Sequence, residues 1–129
     1  MGRRFVEETP YRSIMAQDDD AVRACMTGLL TTPEAGLFVA ENAGLVVGMI
    51  AVLVFGHPLS GERIASELFW WVEPEHRGGG IRLMKRAETW AQRRGAVKMQ
   101  MIAPTEQVGR VYEALGYTRI EEVYQRALL

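Results

Sequence analysis

The stretch His76-Arg77-Gly78-Gly79-Gly80-Ile81-Arg82 has the residue types and spacing of a phosphate-binding turn. Glycines without side chains let a ligand come close to the backbone. The first amides of a helix have no acceptor within that helix, and they can point at an anion where the helix dipole is positive. Arg77 stands before the glycines, and Arg82, Lys85 and Arg86 follow in the first helical turns. Cations gathered at one helix start suit a pyrophosphate with a further phosphate. A flexible connector is the plainer alternative, but the strand before, the helix after and the arginines argue against it. Other phosphate motifs fit poorly. A Walker loop ends in Gly-Lys-Ser or Gly-Lys-Thr, which is absent. The dinucleotide fingerprint wants a third glycine where Leu83 stands.

Such a turn needs a strand to deliver it and a helix to receive it. Residues 64–72 read as a strand that Pro74 ends, with Trp70 and Trp71 pointing to opposite faces, one to the core and the other free to wall a pocket. Residues 81–94 read as a helix, with Leu83, Met84, Ala87, Trp90 and Ala91 on one face and Gly95 as its cap. Residues 97–102 are the next strand, and this order implies a parallel crossover. Upstream, strands 37–41 and 45–55 form an antiparallel hairpin across Asn42-Ala43-Gly44, the second apolar on both faces like a central strand. Asp18-Asp19-Asp20 caps a helix over 21–30, with Val22, Cys25, Met26 and Leu29 on one face. Residues 105–115 form a short helix that Gly116 stops, and residues 117–128 close the chain as a strand. Residues 1–12 lack a period and are expected as a frayed end or a short edge strand. The sum is an α/β fold, a mixed sheet flanked by helices, in a single domain over residues 1–129.

Residues 71–84, Trp71-Val72-Glu73-Pro74-Glu75-His76-Arg77-Gly78-Gly79-Gly80-Ile81-Arg82-Leu83-Met84, resemble the acetyl-CoA motif of the GNAT superfamily of N-acetyltransferases. Arg77, Gly78, Gly79 and Gly80 match its pattern of Arg or Gln, two residues, Gly, one residue, then Gly or Ala; Arg82 departs at the last place. Residues 108–117 resemble the family's later helix, with Tyr112, three residues, Gly116 and the aromatic Tyr117. Thr105 stands where an Asn is usual. The resemblance extends over roughly residues 12–128. It implies a GNAT-type fold, mainly antiparallel with a parallel βαβ crossover. It implies acetyl transfer from acetyl-CoA, a co-substrate, to a primary amine of a small molecule or protein, by direct attack in a ternary complex. It lays the pantetheine along the backbone of Trp71 and Val72 like an added strand. It puts the pyrophosphate on amides from Arg77 to Arg82, including Gly78, Gly79, Gly80 and Ile81, with His76 shaping the turn. Tyr112 matches the tyrosine that protonates the leaving thiolate. The amine must be neutral to attack, so a base is useful. Glu67, in the strand leading to the site, is the best candidate, ahead of Glu73 and of His57 in the preceding loop. The departures at Arg82 and Thr105 motivate an alternative: a CoA-binding module of weak or absent catalysis that acts through protein contacts.

Bulk properties exclude other classes. A formal net charge of -1 over 129 residues is not that of a general nucleic-acid or anionic-membrane binder, and neither partner is expected. The apolar run 45–55 is too short to span a bilayer as a helix, and the N-terminus carries no secretory pattern, so the expected place is the cytoplasm. The single cysteine, Cys25, has apolar neighbours and reads as a buried thiol. His57 and His76 stand far apart with no partner at metal spacing, so no metal is expected. The apolar tail Ala127-Leu128-Leu129 could join a homodimer interface or equally cover the core.

Overall fold

The computed structural model describes residue 1 and residues 3–129 in full, and Gly2 only as part of a helix. Two short helices, α1 (Gly2–Glu7) and α2 (Tyr11–Ile14), precede α3 (Asp19–Thr31). A hairpin follows, β1 (Ala35–Asn42) and β2 (Leu45–Gly56), and then β3 (Arg63–Val72). A 3₁₀ turn (Pro74–Gly79) leads into α4 (Gly80–Arg93), β4 (Lys98–Gln100) and α5 (Glu106–Ala114). The strands form one sheet in the order β1-β2-β3-β4, antiparallel except for the parallel β3–β4 pair. This is the mixed sheet expected from the sequence, with α4 as the crossover.

Local chemistry explains these elements. Ala43 and Gly44 both have positive φ, 51° and 79°, which twists a two-residue turn to suit a hairpin. Both faces of β2 are covered: Ile50, Val52 and Val54 face α4, and Met49 and Ala51 are buried behind them. The apolar stripe Leu83, Met84, Ala87 and Ala91 of α4 closes on Ile50, Val52, Val54, Ala65 and Val72. Asp18 caps α3 by accepting from the amides of Asp20 and Ala21, and Thr105 caps α5 by accepting from Val108.

Some expectations fail. Residues 1–12 are neither frayed nor a strand. They form α1 and α2, which tertiary contacts hold down: Val6 is buried, Phe5 packs on Tyr11 at 5.3 Å between centroids, and Arg4 pairs with Glu8 and Glu73. Cys25 is exposed, because it falls beside the stripe of Val22, Met26 and Leu29 that turns inward. β4 covers only three residues of the predicted 97–102. The predicted strand over 117–128 does not form, and residues 118–129 are exposed and irregular.

Candidate active site

The pairing of β3 with β4 ends at Ser66 opposite Gln100. Beyond it β3 continues to Val72 while the chain after Gln100 leaves for α5, so a gap opens along β3 from Glu67 onward. A bulge lies at the same point. Ala51 opposes Phe69 and Val52 opposes Glu67, leaving Leu68 without a partner in β2. One inserted residue exchanges the faces of a strand. Ala65 faces α4 before the bulge, and Trp70 and Val72 face it afterwards. Phe69 and Trp71 turn to α1, where Phe5 meets them at 6.5 and 5.8 Å between centroids. Trp70 and Trp71 thus take opposite faces as expected.

Glu67 and Tyr112 both bond to Ile102, at the start of this gap. Glu67 is 3% exposed, and its Oε2 accepts a hydrogen bond from the Ile102 amide at 2.9 Å. The Tyr112 hydroxyl donates to the Ile102 carbonyl at 3.0 Å. Both groups therefore bracket one residue in the segment that leaves β4. Burial pushes the Glu67 carboxyl up to about 7, against the lowering effect of the Ile102 N–H. Burial first, and then the charge of Glu67, raises the Tyr112 phenol well above its ordinary value. A carboxyl raised toward neutrality and a phenol held protonated, both bonded to Ile102, are groups suited to acid–base chemistry. Trp70 stacks on Tyr112 at 5.8 Å and 26°. Tyr11 of α2 completes the surroundings; burial and the charge of Glu67 raise its phenol. Sequence reasoning missed Tyr11 and Phe5. The signal available was Arg4 and Glu8 at helical pairing distance, which marks α1.

The glycine turn sits at the far end of β3. A Cβ built on Gly78 or Gly79 would meet nothing within 4 Å, so the backbone there is open to approach. A Cβ on Gly80 would lie 3.1 Å from Trp70 and 3.4 Å from Val72, so the absence of a side chain there lets α4 close on the sheet. Ile81, Arg82, Lys85 and Arg86 are exposed, and among the described residues none of these cations is in an ion pair. Arg77 folds back: its Nε donates to the Val72 carbonyl at 3.3 Å and its guanidinium lies 5.0 Å from the centre of the Trp71 ring. His76 Nδ1 lies 3.4 Å from Asn42 Nδ2 and ties the turn to the β1–β2 hairpin. The Trp70 indole Nε1 is buried without a partner, on the ring edge that faces Gly80. An unpaired buried donor, an open glycine backbone and free cations fit a ligand rich in acceptor oxygens.

The weaker candidates have other work. Glu73 is ion-paired to Arg4 at 2.6 Å. His57 lies at the opposite end of β3, where its Nδ1 accepts from the Leu59 amide within its own loop. Among the described residues, no group of three His, Cys, Asp or Glu side chains could hold a metal, and no helix is long and apolar enough to cross a membrane.

The sequence model of the Acetyltransferase (GNAT) family matches residues 4–117. None of the curated proteins compared matches the sequence. Solved structures do. A transcriptional regulator from Bacillus halodurans C-125 superposes with a TM-score of 0.80 at 21% identity, over 98% of this chain and 89% of that one. The aminoglycoside acetyltransferase AAC(6')-Iy, in complex with the bisubstrate analogue CoA-S-monomethyl-acetylneamine, superposes with a TM-score of 0.74 at 21% identity, over 87% and 81%. A GCN5-related N-acetyltransferase from Ralstonia eutropha JMP134 gives 0.68 at 26% identity, over 84% and 74%.

Proposed function

Since the chain belongs to the acetyltransferase (GNAT) family, we propose that it moves an acetyl group from acetyl-CoA to a primary amine by direct attack in a ternary complex. The thioester lies in the gap beside β3, with the pyrophosphate against Gly78 and Gly79 and the cations Arg82, Lys85 and Arg86 around it. The backbone of Trp71 and Val72 lines the pantetheine. The amine nitrogen attacks the thioester carbonyl carbon; a C–N bond forms and the C–S bond breaks. Glu67 takes the proton lost by nitrogen, and Tyr112 gives one to the leaving sulfur. The observation that carries this reading is the buried Glu67 set beside Tyr112 across Ile102, where β3 and β4 part.

One observation favours the second reading, a CoA-binding module with little or no turnover: Arg77 occupies the Val72 carbonyl at the strand end that a pantetheine arm would use. The two readings separate by experiment. At about a hundred times its dissociation constant, acetyl-CoA adds about 2.7 kcal/mol. For a chain of this size that is a rise in Tm on the order of 10 °C. Arg77→Glu, which reverses a charge at the turn, abolishes most of that rise. Release of free CoA thiol with an amine panel, aminoglycosides included because a structural neighbour is an aminoglycoside N-acetyltransferase, then tests turnover. A rise in Tm with no thiol release from any amine selects the module. No rise with acetyl-CoA or CoA overturns both readings.

A further inference from the structure

The surface beside the Glu67 carboxyl is apolar. Leu68, which the bulge leaves without a partner in β2, is 40% exposed next to it, and Ile102, whose amide holds it, is 47% exposed. These are the neighbours of Glu67 in the chain and in hydrogen bonding, and neither has a polar side chain. Three rings extend this surface. Phe5 of α1 lies 5.3 Å from Tyr11 and 6.5 Å from Phe69 between centroids. Phe5, Tyr11 and Phe69 are each half-buried, so part of every ring stays open to a ligand. The Tyr11 phenol feels the charge of Glu67, and the Tyr112 phenol feels both, which puts Tyr11 at the reacting end of the gap and away from the glycine turn.

Carboxylates on the same side already face arginines. Arg4 of α1 pairs with Glu8, Glu73 and Glu75, and Arg3 pairs with Asp19 at the start of α3. The surface hollow that α1 and α2 line carries one charge of each sign, Glu7 and Arg12. A polycation is recognised by carboxylates left free to bond it, and this arrangement offers it little. An aromatic ring gains from the same arrangement, because it buries apolar area and meets other rings at tilted or edge-on angles.

We infer, on the basis of the acetyl transfer proposed above, that the acceptor is a primary monoamine with an aromatic body, whose ring lies on Phe5, Tyr11 and Phe69 while its nitrogen passes Leu68 and Ile102 to reach Glu67. Release of CoA thiol from acetyl-CoA, compared for 2-phenylethylamine, ethylamine, spermidine and kanamycin, tests this. The ring raises kcat/KM at least about a hundredfold over ethylamine, since one methylene in an apolar site is already worth about tenfold or more. 2-Phenylethylamine also exceeds both polycations at least about tenfold. Leu68→Asp, at an exposed position without a cross-strand partner, lowers kcat/KM for 2-phenylethylamine at least about tenfold and raises it for spermidine. Tyr11→Ala raises KM for 2-phenylethylamine and leaves KM for acetyl-CoA unchanged. A polycation turned over as well as 2-phenylethylamine, or no turnover of 2-phenylethylamine where other amines react, overturns the acceptor class and leaves acetyl transfer standing. A preference that neither substitution changes overturns the placement of the ring. If no amine of the wider panel releases thiol, the transfer reading falls, and saturation transfer by NMR from the protein to the ring protons of 2-phenylethylamine decides the surface by itself. Transfer that Leu68→Asp abolishes supports the aromatic site, and no transfer in the wild type overturns it.

Discussion

Glu67→Gln separates what burial does to the carboxyl from everything else at the site. Burial raises the group from 4.5 to about 7. The folded chain then holds a proton that the unfolded chain has already lost between those two values. Stability contributed by Glu67 is present below pH 4.5 and is lost as pH rises toward about 7. At about 1.4 kcal/mol per pH unit, the loss is about 3 kcal/mol. Gln keeps an oxygen to accept from Ile102 and cannot titrate. Other groups titrate alike in both proteins and cancel in the difference. Urea unfolding followed by tryptophan fluorescence from pH 4 to pH 8 therefore gives a difference, variant minus wild type, that grows by about 3 kcal/mol across the range. The same substitution removes the proton acceptor, so kcat falls about 10²–10⁴-fold. The rise of kcat/KM through pH 7 that an ionising Glu67 gives the wild type disappears. A stability difference independent of pH refutes the account of burial, and an unchanged pH–rate profile refutes the role as base.

Tyr112→Phe removes the proton donor but keeps the ring that stacks on Trp70. It costs about 1 kcal/mol of stability and lowers kcat at least tenfold with KM for acetyl-CoA nearly unchanged; an unchanged kcat removes Tyr112 from the mechanism. Gly80→Ala sets a methyl 3.1 Å from Trp70, which the stack on Tyr112 keeps from yielding. The strain outweighs the helix propensity gained, and stability falls by about 1 kcal/mol. Gly78→Ala, which meets open space, stays within about 0.5 kcal/mol; urea midpoints of the two variants test the contrast, and a Gly80→Ala protein as stable as the wild type refutes it.

The features legible in the sequence were those written locally. The hairpin turn at Ala43-Gly44, the two-faced apolar run of β2, the stripe of α4 and the glycine turn are each patterns of a few residues. So is the alternation that parts Trp70 from Trp71. The nearness of Glu67 and Tyr112 was not local. The family resemblance offered Tyr112 as the acid, and the place of Glu67 in its strand offered it as a base, but neither showed that both would bond to one residue, because Ile102 carries no pattern of its own. The N-terminal helices were hidden for a similar reason: Phe5 packs on Phe69 and Trp71, far along the chain, and Tyr11 packs on Phe5. The tail misled in the opposite direction. Its residues have strand character, but a strand needs an edge long enough to receive it, and residues 98–100 are a short one.

The hydrogen bond from Ile102 to Glu67 also works as a sensor of the gap's width. It is the contact that restrains the carboxylate's affinity for a proton, while burial alone pushes that affinity up. Separating residue 102 from β3 withdraws that donor. The carboxyl's proton affinity and the spacing of the two strand ends are thereby coupled through a single N–H.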